Sequence, residues 1–484
     1  MKKSLLVAAA LAGTVCSAHG LEFHPIGTAV GMGGAGVANT RGAYAPYWNP
    51  AGLAFGGKDV SIKLGAGAGA QIGGSLANNV DRLSRISDPT TGSLDITGGS
   101  TATNLQRVGD AVQVIGLLNE IGNDKKGTLS LSGNATLGVQ IRHFGFGVFG
   151  TFEGGALPEP DLTDIVFSGV SSYAVLATSI GATGTVSRGT AFFTDAQISA
   201  ITTAFGGGAY GQNIAYTIEK QLVSSNVTNL SAQSAADSLV KLGNAMAPAS
   251  TAGTLDQNKS AIRSRALALL EYPLAYGYPI DFGYYGTVGI GGAVKLMQGR
   301  TYLSTVKIFN TNSSDIVKKM TDNFQDSLTW GVDVGAVWKY KIVNVGVVAK
   351  NLNSPTFSMS NLGDSAGYRV RPQVRSGFSA EVLPWLTLAA DLDLTKNETA
   401  LPGVKRQSLG GGVEMTPLDW LKLRLGASAN INGGDTPLLT AGFTLGTPVF
   451  AFEVDGGASP DTGTYKGSSY PREAMVNFSL CSQF

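Results

Sequence analysis

Apolar and small-or-polar residues alternate along this chain in short bursts, most densely from about residue 128 to Phe484, and each burst closes in a turn or a loop. Strict alternation sends every second side chain to one face of a strand. Residues 386–396 show it cleanly: Leu386, Leu388, Ala390, Leu392 and Leu394 share one face, and Thr387, Ala389, Asp391, Asp393 and Thr395 share the other. The pattern predicts fourteen strands, near 58–74, 128–142, 144–155, 262–278, 282–300, 326–341, 343–351, 369–382, 386–396, 405–416, 420–430, 437–447, 449–456 and 472–484. Connections after even-numbered strands are short, as at Arg142-His143, Pro279 and Lys341-Ile342; those after odd-numbered strands are longer, up to 75–127 and 156–261. A barrel crossing an outer membrane has tight turns at one rim and loops at the other. The expected fold class is therefore all-β: a closed 14-stranded antiparallel outer-membrane β-barrel over residues 57–484, with both ends periplasmic and helical extracellular loops.

Aromatic residues sharpen the orientation. Phe144, Phe146, Tyr276, Tyr278, Tyr284, Trp338, Tyr340, Trp385 and Trp420 all fall beside short turns, where amphipathic rings suit a membrane–water boundary. Two loops are long enough to carry structure of their own. Leu105, Val108, Val112, Ile115 and Leu118 recur at helical spacing within 103–121, and 195–246 holds three more helical stretches, one of them Ser231 to Met246.

The first residues read as an export signal over 1–20: Lys2 and Lys3, an apolar run from Leu5 to Gly13, then small residues up to Ala18-His19-Gly20. The expected mature start is Leu21, with cleavage after Ala18 the alternative; Gly13-Thr14-Val15 before Cys16 is a poor lipidation signal. No later stretch is apolar for long enough to form a spanning helix. Taking Lys2 and Lys3 from the 35 basic side chains leaves 33 against 34 acidic ones. That balance gives no reason to expect a nucleic-acid partner. Only Cys481 survives processing, so no disulfide forms within the chain. The 66 glycines and the low charged fraction of 14% suit strands with lipid on one side and a crowded lumen on the other.

Residues 21–56 precede the first strand and hold a glycine cluster, Gly31, Gly33, Gly34 and Gly36, then Tyr47-Trp48-Asn49-Pro50-Ala51-Gly52-Leu53. Gly31 to Gly36 is literally a GxGxxG, but no buried strand precedes it and no βαβ unit follows, so it is not read as a dinucleotide site. Glycines in a row let a backbone pack closely inside a filled barrel mouth. Pro50 forces Asn49 into extended backbone and sets a turn. On these residues the chain resembles the FadL-type outer-membrane barrels, and most closely the branch described as conjugal transfer protein TraF-like. The alternating last strand, ending in Phe484, is similar to the signal read by the outer-membrane insertion machinery. The resemblance implies a hatch, or plug, over 21–56, with Asn49, Pro50 and Ala51 at its turn and Gly31, Gly33, Gly34, Gly36 and Trp48 around them. It also implies a place in the outer membrane of a Gram-negative bacterium. No fatty-acid-pocket residue of that family is matched.

Chemistry is sparse. Of three histidines, His19 leaves with the signal, His24 lies near the mature start and His143 sits in a short turn. No Ser-His-acid set reaches the outer rim and no His/Cys cluster suggests a metal; neither catalysis nor a cofactor is expected. The inward positions instead carry mixed charge: Asp333, Lys339, Arg371, Arg375, Glu381, Asp391, Asp393, Glu414, Lys422 and Arg424. Counting back from the turns at Leu383-Pro384-Trp385 and Pro417-Leu418-Asp419 sets Arg375 opposite Asp393 and Glu414 opposite Lys422. A one-residue slip would turn such charges to lipid, at about 2–4 kcal/mol per Lys or Arg at mid-depth.

The expected function is hatch-gated passive uptake of small hydrophobic solutes, with the lipid bilayer, the insertion machinery and those solutes as partners. The alternatives are a non-transporting envelope component of conjugal plasmid transfer, and a structural or adhesive surface protein. An exposed apolar groove between the 103–121 helix and the 156–180 segment would favour passage.

Overall fold

The computed structural model describes residues 22–56, 60–84, 99–124, 126–161, 170, 172–227, 230–245, 259–307, 322–433, 437–447 and 449–484. The expected export signal lies outside them. Fourteen antiparallel strands close into one barrel. In chain order they are β1 (Val60–Ile72), β2 (Leu129–Ile141), β3 (Phe144–Glu159), β4 (Ala261–Asp281), β5 (Thr287–Lys307), β6 (Phe324–Tyr340), β7 (Val343–Lys350), β8 (Gln373–Leu383), β9 (Leu386–Asp393), β10 (Ser408–Leu418), β11 (Leu421–Asn430), β12 (Leu438–Gly446), β13 (Ala451–Ala458) and β14 (Glu473–Gln483). Each pairs with its neighbours in sequence, and β14 closes on β1 with Leu64 opposite Leu480 and Ala66 opposite Phe478. Closure satisfies every edge, which lipid requires because an unpaired backbone group there costs several kcal/mol.

Alternation puts apolar side chains outward. Leu274 and Leu328 are each 65% exposed, a state that suits lipid and not water. Outward aromatics gather at the short-turn rim: Phe144, Tyr276, Tyr278, Trp338, Trp385 and Trp420. Two of the turns there are two residues long and need a left-handed first residue, supplied by Arg142 (φ 52°) and Lys341 (φ 50°). No helix among the described residues is long and apolar enough to cross a membrane.

Boundaries differ from expectation where a proline or a second hairpin intervenes. Pro279 does not end β4 but stays in the ladder opposite Gly289, so β4 runs to Asp281 and β5 to Lys307; extended backbone accommodates proline's fixed φ. Of the expected start of the eighth strand, 369–372, Arg369 instead closes a small hairpin of Thr356–Met359 with Asp364–Arg369, and 370–372 connect it to β8. That hairpin folds inward, and Phe357, Met359, Tyr368 and Val370 bury against Leu267, Leu269 and Met297. Arg371 is consequently exposed beside Glu398 at 3.6 Å and is not a lumen residue of a strand.

Among the described residues, the long-loop face carries six helices. Thr101–Asn123 and the trio Asp195–Ala204, Gly208–Ser224 and Ala232–Ala245 fall where periodicity placed them; Leu76–Ser84 and Tyr173–Ser179 were not anticipated. They form a body with its own apolar core, in which Val112, Ile115 and Leu118 meet Leu176, Ile201, Ile218 and Leu239. The buried Glu219 carboxylate helps fasten it, accepting from the backbone of Phe192 and Phe193 and from Arg188.

Candidate functional site

The lumen is occupied. Residues 22–56 lie inside the barrel in short turns, and nearly all of 26–54 is buried. Gly33 and Gly34 adopt φ of 66° and 82°, a conformation that other residues reach only with strain. The reversal lets Gly33 donate its N–H to Thr440 Oγ1 at 3.1 Å, while that hydroxyl donates to the Gly31 carbonyl. A Cβ at Gly33 would overlap the Ala427 carbonyl, and one at Gly31 the Asp455 carboxylate. Gly36 lies under the Trp48 indole, where a Cβ would stand 2.7 Å from ring carbons. Gly36 and Val37 both donate backbone N–H to Asp391 Oδ2, at 2.8 and 3.0 Å.

Asn49 is the second anchor. It is extended (φ −158°), as the following Pro50 requires, and caps the turn Pro50–Phe55 by accepting from Ala51 N at 3.1 Å. Its amide reaches Val37 O at 3.1 Å, and Val347 O and Ala336 O on the wall at 3.3 and 3.4 Å. Pro50 and Ala51 press on Gly291, where an added Cβ would stand 2.5 Å from the Pro50 carbonyl oxygen. Trp48 is 1% exposed among Phe23, Tyr47 and Phe149. The Lys350 ammonium stands 3.8 Å from the Tyr47 ring centre and the Arg375 guanidinium 4.8 Å from that of Phe23. Such cation–aromatic contacts strengthen away from water.

Ion pairs line the wall behind this segment. Arg375 meets Asp393 at 3.0 Å and is opposite it in the β8–β9 ladder, although the turn itself slips by one residue after Glu381. Glu414 is not opposite Lys422. The turn is the two residues Asp419-Trp420 and not the expected three; with a one-residue slip between Met415 and Leu418, the β10–β11 ladder stands two residues from the expected register, so Arg424 is the cross-strand partner of Glu414 at 2.8 Å, with Lys422 at 3.5 Å and half exposed. A two-residue shift preserves the face, so both cations still point inward. Arg424 also meets Asp455 at 2.9 Å. Sequence reasoning named Asp333 and missed the buried partners around it. Lys295, 1% exposed, lies between Glu271 at 2.6 Å and Asp333 at 2.9 Å. The signal was available, since Glu271 and Lys295 interrupt apolar-outward alternation at inward positions. Lys63, paired with Glu453 at 2.5 Å, was missed the same way. The two histidines of the described chain both join the segment to the wall: His24, within it, lies 3.6 Å from Glu153, and His143 Nδ1 is 3.2 Å from the Leu53 carbonyl oxygen.

Two cavities flank the segment. One of about 490 Å³ opens toward the long loops beside Glu22, Gln71, Arg406, Arg472 and Glu473. One of about 380 Å³ lies on the short-turn side, bordered by Arg41, Lys63, Lys422, Glu453 and Cys481. At the expected groove, residues 162–169 and 171 are outside the described chain; Leu176, Ala177 and Ile180 are buried against Val108, Ala111 and their neighbours.

A closed barrel with an apolar outer band, an aromatic rim and a charged, occupied lumen defines an outer-membrane β-barrel protein. Within that class, the chain belongs to the family described as "F plasmid transfer operon, TraF, protein", whose model matches residues 46–393. Among solved structures it is similar to the P. putida toluene transporter TodX (11% identity, 96% of this chain and 99% of that one, TM-score 0.47). The monoaromatic hydrocarbon channel CymD is comparable, at 11% identity, 96% and 99% coverage and TM-score 0.46. A Pseudomonas aeruginosa FadL homologue is similar at 11% identity, 96% and 99% coverage and TM-score 0.44. No curated protein matches the sequence.

Proposed function

We propose that this protein is a gated channel for small solutes, closed in the observed state by its own N-terminal segment acting as a plug. The carrying observation is the segment's placement: short turns packed across the lumen, with a cavity of about 490 Å³ on one side and one of about 380 Å³ on the other. Its fastenings to the wall are polar and individually modest, such as the amides on Asp391 and the Asn49 side chain on β6 and β7. Each is worth roughly 0.5–3 kcal/mol net, the upper end belonging to the charged Asp391 acceptor, a scale that a solute's binding energy can offset. Small hydrophobic solutes are the class the family resemblance suggested.

The test is flux through purified protein in liposomes, comparing an aromatic hydrocarbon, an alkane and a fatty acid, with Asp391→Asn and Asn49→Ala as loosened plugs. The proposal expects leak through the loosened variants to exceed that of the parent. Equal tightness of all three proteins, correctly inserted, would sink it.

A second reading draws on the family's name and on the helical body over the long-loop face, whose core is independent of the barrel. On that reading the protein is an envelope component of plasmid transfer and passes nothing. Loss of mating frequency on deleting the gene, with solute uptake unchanged, would favour it.

A further inference from the structure

The geometry points to a specific route through this barrel: we propose that solutes pass along the β1 wall, and that those which fit are small neutral molecules joining an apolar body to a hydrogen-bonding group, the class of phenol. The inference rests on the channel reading above and deepens it.

The lumen is asymmetric. Facing β4 to β11, inward glycines are filled by the plug's own chain. A Cβ at Gly277, Gly291, Gly346 or Gly426 would come within 3 Å of plug backbone atoms, and one at Gly335 would overlap the Asn49 side chain. Nothing passes there without expelling the plug. β1 differs. Its inward positions read Ser61, Lys63, Gly65, Gly67, Gly69, Gln71, with outward Ile62, Leu64, Ala66, Ala68 and Ala70 between them. Gly65 is covered by the Tyr44 hydroxyl, but Gly67 and Gly69 meet only barrel groups, chiefly the side chains of Asn134, Asn477 and Ser132. Along this bare strip three cavities follow one another inward. The first, of about 490 Å³, shares Gln71, Ser130 and Arg406 with a second of about 90 Å³. The second shares His24, Ser132 and Met475 with a third of about 10 Å³, room for little more than one water. The third ends where Asn477 donates to Asn134 Oδ1 and accepts from Gly27 N, each at 3.1 Å. That amide pair is the constriction. Beyond it, past Ile26 and Ala29, lies the short-turn cavity.

The lining sets the solute class. Charges in the upper cavities stand in opposed pairs, Arg406 with Glu22 and Glu473, Arg472 with Asp461, Lys405 with Glu398 and His24 with Glu153, with Lys126 beside them at the first cavity, so an ion gains little net field there. Between them stand hydroxyl and amide groups of Ser130, Ser132 and Asn134, beside apolar surface from Phe23, Leu401 and Met475. A solute with one hydrogen-bonding group and an apolar body replaces the water of both kinds of surface.

Two arms test it in liposomes, in a Cys481→Ser background. First, Ser132→Cys is assayed for phenol flux before and after a small thiol-blocking reagent, beside Ala293→Cys, a buried position on the plug-filled side. The expected result is a roughly tenfold loss of flux on blocking Ser132→Cys and none for Ala293→Cys. Phenol flux that survives complete modification of Ser132→Cys overturns the route and leaves the channel reading intact. Second, Asn134→Ala with Asn477→Ala is expected to raise flux of phenol above that of benzoate and of toluene. Widened flux with no preference for phenol overturns the solute class. No flux of any solute in any variant overturns the channel reading itself.

Discussion

The two walls of the lumen are both rich in glycine, and they use it for opposite ends. On the β4 to β11 side, glycine removes a side chain so that backbone of the N-terminal segment can take its place: Gly410 lies under the Gly33 carbonyl, and Gly412 would place a Cβ 2.8 Å from the Met32 Cα. On the upper part of β1, glycine removes a side chain and the space is left to amides, hydroxyls and cavities. Glycine count alone therefore says nothing about whether a barrel is filled. The partner across the lumen decides it, and that partner is set by where residues 31–37 and 49–54 are anchored. The anchors Asp391 and Asn49 belong to or reach the filled wall, and Thr440 stands on β12 beside it.

The contrast breaks most readily at Lys295, behind the filled wall. Replacing it with Met leaves Glu271 and Asp333 buried without their cation. A loss of about 3–5 kcal/mol is expected, read as a large fall in the thermal unfolding midpoint in detergent. An unchanged midpoint would mean that these carboxylates are hydrated and the wall is not packed. A smaller effect separates the two kinds of glycine. Gly335→Ala drives a methyl into the Asn49 side chain, and about 1–3 kcal/mol of destabilisation is expected from overpacking. Gly69→Ala meets the Ser132 hydroxyl at 2.7 Å, a group that can rotate away, and less than about 1 kcal/mol is expected. Equal losses at the two sites would erase the distinction between the walls.

The mildest effect is on pH. Burial pushes the Glu22 carboxyl up to about 7, with Arg406 drawing it down and Glu153, beside Glu473, pushing it further up. Burial pulls the His24 imidazolium down, but hydrogen bonding and charge from Glu153 more than offset that, so its pKa is raised. Both groups hold their protons more tightly with the segment seated than released. Seating is therefore at full strength below their ordinary values and weakens as pH rises through about 7. Protease cleavage within the segment is expected to be faster at about pH 8.5 than at about pH 6. The opposite trend would show that Arg406 dominates this corner.

Much of the barrel was legible because its physics is local. Alternation fixes which face is fatty, and the short-then-long rhythm of connections fixes strand order, so the fourteen strands appear one for one. Register was legible only as parity. Arg375 and Asp393 pair as counted because the slip in their turn falls after Glu381, whereas the tighter turn at Asp419-Trp420, together with the one-residue slip beyond Met415, exchanges Arg424 for Lys422 opposite Glu414. A bulge is an extra residue in one strand, and alternation does not reveal which. Of the inward hairpin over 356–369 only Arg369 falls within the expected strand 369–382, and the rest lies in an expected loop; the burial of Tyr368 and Val370 against Leu267 and Met297 is a long-range fact that alternation does not carry. The N-terminal turn was legible from Asn49-Pro50 and the glycines. Its docking partners were not, since a contact between Gly36 and Asp391 spans most of the chain.

Hydrogen exchange of residues 22–56 in the intact, inserted protein tests the central claim most directly. The account predicts slow exchange at Gly33, Gly36, Val37 and Ala51, whose amides are bonded within the filled side, and faster exchange at Glu22 and Gly27, beside the cavities along β1. Uniformly rapid exchange across the segment would contradict it, because a chain that samples water throughout neither fills the lumen nor closes it.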